Sequence, residues 1–352
     1  MRSTSVSDRV GELVSREIIH EVPIKPTGRG RPGSTLRFNE QRFGAIFISV
    51  QDCRLVAKAV DLSFRVLADI ACEPSPDADN AEIARHLRQL VSDMLQAFPA
   101  GLANALIVLS LPGVLDVPRS LWCVSSRWPR LQSLQLSEAL GDQPWPIVLI
   151  RNLDAELTGL ALVDEQAGSD NTLLLHWGHG IGAAFSAQGI IVNRHRGRFC
   201  EIGHWDLNNG AGRACTCGNR DCLETVAALW SIGPDLQLAH PGLALDEDNL
   251  AQEMRGLDLL NRPSIRLALN SMLRQTSNLC RLLFPDRIIL TGPFVQNPDI
   301  FRQFVDALAV APLVRSLDKV RISVKEIGQR HEIVGALQDP FETVLAEHIR
   351  KE

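Results

Sequence analysis

The sequence predicts an α/β protein of two lobes, on three observations. Short apolar runs of strand character alternate with amphipathic stretches of helical period, the pattern of helices packed on mixed sheets. The strand-rich stretches fall into two groups, residues 41–150 and 151–330, each long enough for one lobe. The 352 residues are 45% hydrophobic and 22% charged, the balance of a globular chain with a large buried core.

The elements follow in order. Val6, Val10, Leu13, Val14 and Ile18 recur at helical spacing, which predicts a helix over 4–22 capped by Ser3 or Thr4. Residues 23–33 are dense in Pro and Gly, loop chemistry at a domain boundary. Strands are predicted over 43–50 and 55–60, with a turn at Gln51, Asp52, Cys53 and Arg54. A helix over 81–97, a strand over 105–109, a strand over 146–150 and a helix over 155–163 complete the first half. The second half opens with a strand over 172–177 that runs into Gly178-His179-Gly180-Ile181-Gly182 and continues over 183–188. Helices over 223–230, 265–284 and 299–309, a buried strand over 287–290 and a last helix over 340–351 follow. No repeat period or low-complexity tract is present. The expected division is 1–40, 41–150, 151–330 and a C-terminal helix in 331–352 that packs back on the first lobe. Trp122, Trp128 and Trp145 are expected to pack rather than to bind.

The net charge is −5, so the molecule is no polycation, and any nucleic-acid contact must come from a local patch. Residues 1–37 supply one, with seven Lys/Arg against four acids. The apolar runs 103–109 and 147–150 are too short to span a bilayer, and no apolar stretch follows Arg2 and Arg9 as in a signal peptide. A cytoplasmic protein without a membrane role is therefore expected. There are eight cysteines; cytosolic thiols stay reduced, so disulfides are not expected.

Three of those cysteines crowd into 215–222, which asks for a metal. Ten residues separate His204 from Cys215, and Cys217 and Cys222 follow. Three thiolates and one imidazole form a tetrahedral donor set that suits zinc, and four protein ligands leave no open position, so the ion would be structural. Gly218 sits where the chain must turn back towards Cys222. The alternative is a group of buried cysteines that are merely neighbours.

The run Glu201-Ile202-Gly203-His204 followed by Cys215-Thr216-Cys217-Gly218-Asn219-Arg220-Asp221-Cys222-Leu223-Glu224 resembles the signature of the ROK (repressor, ORF, kinase) family; Asp221 stands where that signature has Gly. Gly178 to Gly182 resembles the family's GTGIG. Leu109 to Asp116 resembles its PGxVD stretch, and Phe284 to Gly292 its PxxIvlgGG strand. The resemblance covers most of the chain. It implies an actin/hexokinase-like fold of two lobes around a cleft, and one of two activities. The family contains sugar kinases, and sugar-responsive repressors with an N-terminal winged helix-turn-helix.

A sugar kinase needs a Gly-rich turn for phosphates, a carboxylate for the sugar hydroxyl proton, and a means of holding ATP and its metal. The residues matching the family's DxGGT loop are Ser49, Val50, Gln51, Asp52 and Cys53: the acid and both glycines are absent. Asp52 would also oppose phosphate, at about 4 kcal/mol for like charges about 4 Å apart at intermediate dielectric. The family's Asn-Asp pair appears as Asn152-Leu153, and Leu153 accepts no proton. Asp154, one residue on, would point about 100° away on a helix, though a local shift would let it substitute. His179 replaces the Thr of GTGIG, and Pro293 replaces a nucleotide-side Gly.

The N-terminus points to the repressor branch. Ser3, Thr4, Ser5, Ser7 and Arg9 lie in a stretch that resembles the recognition helix, and Arg29 and Arg31 lie in one that resembles the wing. Small hydroxyls and Arg suit major-groove contacts, and an Arg-Gly-Arg loop suits a minor groove. A plain surface helix and a solvated linker are the alternatives. The chain begins at the recognition helix, so DNA binding is expected only if the natural N-terminus supplies the preceding helices, roughly 40 residues.

The resemblance further implies a sugar site at Asn152, Glu201, His204 and Glu224. His204 would give one nitrogen to zinc and the other to a partner. Glu201 and Glu224 would otherwise only support the zinc ligands. Arg194 and Arg196 would favour an acidic or phosphorylated sugar, or be merely solvated. The expected function is a homo-oligomeric, non-catalytic ROK transcriptional regulator of carbohydrate metabolism that senses a sugar or sugar phosphate. The alternatives are a glucokinase-like sugar kinase with an atypical phosphate loop, and a sugar-binding protein with no DNA role.

Overall fold

The computed structural model describes residues 3–23, 34–208, 210–310 and 320–350. It opens with helix α1 (Ser3–Ser15), followed by an antiparallel pair, β1 (Ile19–Pro23) and β2 (Ser34–Phe38). The helix expected over 4–22 thus ends early. Glu17 takes φ 59, a left-handed position that stops the helix, and the β-branched Ile18 and Ile19 lead into the strand.

Two five-stranded sheets of the same topology follow. The first contains β3 (Phe43–Gln51), β4 (Arg54–Asp61), β5 (Val66–Cys72), helix α2 (Asn80–Ala97) and β6 (Ala103–Leu111). A small sheet, β7 (Val114–Asp116), β8 (Leu121–Val124) and β9 (Gln132–Gln135), and helix α3 (Leu136–Leu140) precede its last strand, β10 (Ile147–Arg151). The order is β10-β6-β3-β4-β5, with β3, β4 and β5 antiparallel in succession and β6 and β10 parallel to β3.

Helices α4 (Asn152–Val163) and α5 (Glu165–Ser169) lead to the second sheet: β11 (Thr172–Trp177), β12 (Ile181–Ala187) and β13 (Ile190–Ile191). Then come α6 (Glu224–Ala227), α7 (Leu229–Ala239), α8 (Glu247–Met254) and α9 (Pro263–Leu283). The strands β14 (Arg287–Thr291) and β15 (Arg321–Val324) flank α10 (Pro298–Val310), and α11 (Arg330–Arg350) follows. The order is β13-β12-β11-β14-β15, again an antiparallel meander with two parallel strands added beside its first. Two copies of one topology are present although the sequence shows no repeat; burial and strand order can be duplicated with no residue identity kept.

The first lobe buries Ile46, Ile48, Leu87 and Leu109, with Trp122 and Trp128 edge to face at 5.8 Å. The second buries Leu173, Leu175, Trp177, Leu269 and Leu290. Two helices tie the lobes together. The Leu153, Leu157 and Leu160 face of α4 packs on Leu174 and Ile289 of the second sheet. Ala155, on its other side, joins Ile333, Ala336, Leu337 and Phe341 of α11 against Phe43, Phe47 and Val108 of the first sheet. The helices α4 and α11 touch backbone to backbone: a Cβ on Gly159 would lie 1.9 Å from the carbonyl oxygen of His331, and one on Gly335 1.9 Å from that of Ala155. Helix α11 begins ten residues before the predicted start at Pro340, which lies within it. No described helix is long and apolar enough to cross a membrane.

Candidate functional site

A cleft of about 380 Å³ separates the lobes, and Asn152, Glu201, His204 and Glu224 all line it. Different local structures place them there. Asn152 opens α4 directly after β10. Glu201 precedes a 3-10 turn at Ile202–His204, and Glu224 opens α6. Gly203 permits the packing, because a Cβ there would sit 2.3 Å from the carbonyl oxygen of Ile181. Glu224 accepts from Ile181 N–H at 2.8 Å and from Trp230 Nε1 at 3.2 Å, so its carboxylate is fixed. Glu201 Oε1 lies 3.3 Å from Arg151 Nη2 but has no hydrogen-bond partner, although the atom is buried. The side chain as a whole is 29% exposed on the cleft wall, where a carboxylate can accept from a ligand hydroxyl. Burial pushes the Glu201 carboxyl up, against the opposing pull of Arg151.

His204, Cys215, Cys217 and Cys222 converge behind this wall, their ligand atoms all within 4.8 Å of one another. Cys215 Sγ stands 3.6 Å from His204 Nδ1, and Cys217 Sγ 3.7 Å from Cys222 Sγ. A tetrahedron with Zn–S of about 2.3 Å has S–S edges of about 3.8 Å, so the donor set fits such an ion. The turn is built by Gly218 at φ 90, with its N–H on Cys215 O at 3.0 Å. Asp221 takes φ 53, and its carboxylate accepts from the N–H groups of Gly212 and Arg213 at 3.0 and 2.9 Å. A short polar side chain tolerates this left-handed position, and its hydrogen bonds replace the freedom a Gly would supply.

A second polar group lies along the same cleft. Arg127 of the first lobe donates from Nη1 to Asp52 Oδ1 at 2.8 Å, and from Nη2 to Glu247 Oε1 of the second lobe at 2.9 Å. Glu247 also accepts from His179 N–H at 2.6 Å and pairs with His176 Nε2 at 3.4 Å. Burial alone would raise the Glu247 carboxyl, but His176 and Arg127 outweigh it and hold the group well below the usual range. Burial also opposes a charge on His176, yet Glu247 keeps its pKa above the ordinary value. Burial, helped by Arg127, lowers His179 to about 4. At the cleft floor Glu332 accepts from Ser110 Oγ at 2.7 Å, Gln329 Nε2 donates to Ser49 Oγ at 3.2 Å, and Lys325 pairs with Glu156 at 2.6 Å.

A model of the ROK family matches residues 53–338. The chain belongs to the ROK family. The DNA-binding transcriptional repressor Mlc of Escherichia coli K12 is 22% identical over 346 residues, 94% of this chain and 84% of that protein. A glucokinase of Halalkalibacterium halodurans is 25% identical over 258 residues, 65% of this chain and 74% of that one. Among solved structures, a ROK family transcriptional regulator homologous to E. coli Mlc superposes with a TM-score of 0.72 at 20% identity, over 99% of this chain and 91% of that one. The ROK glucokinase of Streptomyces griseus with glucose and AMPPNP gives 0.62 at 16% identity, over 84% and 98%. These likenesses show the ROK hexokinase-like α/β fold with mixed sheets.

Against the ROK motifs, the structure places each departure. Ser49 lies on β3, and Gln51, Asp52 and Arg54 form the turn at the cleft edge, with Asp52 at φ 54. Asp52 is not the bare charge the sequence suggests, because Arg127 neutralises it. Leu153 lines the cleft from the α4 core. Asp154 is 1% exposed and pairs with Arg151 Nη1 at 3.2 Å, and it does not line the cleft. Gly292 keeps the backbone approach its motif needs, since a Cβ would lie 2.2 Å from Trp177 O. Arg194 and Arg196 do not line the cleft: Arg194 binds Asp339 at 2.5 Å, and Arg196 faces a separate hollow with Arg119 and Arg198. Ser3, Thr4, Ser5, Ser7 and Arg9 belong to α1, where Arg9 pairs with Glu12 at 3.2 Å; the side chains of Ser3, Thr4 and Ser5 and the whole of Arg29 and Arg31 lie outside the described residues. Sequence reasoning missed Arg127, Glu247, His176, Arg151, Lys325 and Glu332. The acidic run Asp246-Glu247-Asp248 was the one local signal.

Proposed function

We propose that this chain is a cytoplasmic, sugar-sensing transcriptional regulator of carbohydrate metabolism that binds a sugar without phosphorylating it. The observation that carries the reading is the pairing of a polar wall with a disarmed centre. Asn152, Glu201, His204 and Glu224 meet at one cleft, while the general-base position is Leu153 and the neighbouring Asp154 is turned inward on Arg151. A proton acceptor must reach the hydroxyl it serves, and a buried, ion-paired Asp154 does not.

In this reading His204, Cys215, Cys217 and Cys222 hold a structural zinc ion, which fixes the loop carrying Glu201 and His204. Its chemistry is positional: with four protein ligands it keeps no place for substrate. The lobes are 41–150 and 151–330, with the helix of 331–352 held against the first. Sugar in the cleft changes the lobe angle, and through it the affinity of the N-terminal element for DNA. That element is α1 with the β1–β2 pair, where Ser3, Thr4, Ser5, Ser7, Arg9, Arg29 and Arg31 would contact an operator, and a homo-oligomer would match a palindromic one. The names of Mlc and of the N-acetylglucosamine and xylose repressors support the regulatory side. Glucokinases among the relatives favour the second reading, a sugar kinase.

A thermal-shift titration with pentoses, hexoses and N-acetylhexosamines tests the site. At least one sugar is expected to raise Tm, and Asn152→Ala and Glu224→Ala are expected to abolish the rise. A rise that survives both variants would remove the site. Selection of duplexes from a random library, with and without that sugar, tests the DNA role; selection of no duplex leaves the pure sugar-binding reading.

A further inference from the structure

The buried cations that face the cleft are already committed. Arg151 is shared by Asp154 and Glu201, Lys325 is held by Glu156, and Arg127 is held at both ends by Asp52 and Glu247. Their side chains are 3%, 8% and 10% exposed, respectively. The other charged groups of the wall are the exposed Arg54 and acids, among them Glu224, Asp246 and Asp248. Arg127 occupies the decisive place. It spans from the turn Gln51–Arg54 to Glu247, which in turn receives the N–H of His179 in the loop between β11 and β12. These are the two segments that match the glycine-rich loops of the family. Gly178 belongs to the same arrangement, because a Cβ there would lie 2.6 Å from Glu247 Oε1.

A phosphate entering this gap needs a cation with free donors. Arg127 keeps unused N–H donors, but its charge is already offset by two carboxylates, and a phosphate taking those donors would lie beside both of them. An uncharged sugar makes no such demand, and meets acceptors suited to hydroxyls. We propose that Asp52 and Glu247, by occupying both ends of the Arg127 guanidinium, make the cleft refuse phosphate and select an uncharged sugar. The proposal rests on the sugar-sensing reading and deepens it: phosphate is refused whether it belongs to a nucleotide or to a sugar.

Calorimetric titration of the full chain with inorganic pyrophosphate tests this without any sugar, so its outcome is separate from that of the thermal-shift test. Wild type is expected to bind no more tightly than Arg127→Gln. The double variant Asp52→Asn with Glu247→Gln frees the guanidinium and is expected to bind about tenfold more tightly than wild type, the scale of one charge-assisted hydrogen bond. Adding Arg127→Gln is expected to abolish that gain, which separates this site from surface arginines. Asp52→Asn alone carries a smaller gain of the same sign. It sits in a turn at φ 54, which Asn adopts readily, so it decides the matter should the double variant fail to fold. Wild type binding pyrophosphate as tightly as the freed variants, or no gain in either of them, would overturn the proposal.

Discussion

Glu332 carries the clearest titration in the cleft. Burial pushes its carboxyl up to about 8, so the folded protein holds a proton that the unfolded chain releases near its ordinary value. Stability from this group is full below the unfolded pKa and falls as pH rises through about 8. Glu332→Gln removes that loss, so its Tm is expected to gain on wild type steadily from about pH 5 to pH 8. A constant difference across that range would contradict the assignment. The metal residues give a second prediction. Wild type is expected to hold one zinc per chain, and Cys222→Ser to lose it and melt at least about 5 °C lower, as read by metal analysis and calorimetry. The cluster of His204, Cys215, Cys217 and Cys222 was readable because its residue types and short spacing carry the chemistry, whereas Glu201 and Glu224 came only from the family resemblance. The Arg127–Glu247 contact was not readable, because 120 residues separate its partners and the acidic run around Glu247 marks that residue but not its partner.

At the scale of elements, α4 and α11 decide how the lobes are joined. Gly335→Val would push side-chain carbons into the Ala155 carbonyl of α4, already 1.9 Å from an added Cβ, and the helices would have to separate. A loss of about 3 kcal/mol is expected in denaturant unfolding, and a shift below about 1 kcal/mol would mean that the helices part easily. Gly159→Ala should act in the same direction through His331. Periodicity located most of the long helices and central strands. It missed β2, β5, β7, β8, β9, β13 and β15, which are short or partly exposed. It began α11 at Pro340, reading a proline as a helix start, whereas Ile333, Ala336 and Leu337 already lie on the buried face before it. At α1 the same method ran the helix through Ile18, because an apolar residue at helical spacing looks alike on either side of a left-handed stop.

For the whole molecule, the two lobes repeat one strand order around a cleft, and the chain superposes on a ROK regulator and on a ROK glucokinase alike. The fold therefore does not choose between them; the residues in the cleft do. The duplicated topology was invisible in the sequence, where the halves share burial pattern but no repeat. The cleft itself was legible only through the motif resemblance. Its ion pairs are a product of the tertiary arrangement and close the gap between lobes with side chains of this chain alone. In the proposed regulator the cleft senses a sugar and transfers no phosphoryl group to it. Measuring ADP release with Mg-ATP and the sugar that raises Tm decides this. The predicted result is a rate equal to that without sugar, in wild type and in Asp154→Ala alike. Sugar-dependent ADP release that disappears in Asp154→Ala would contradict it.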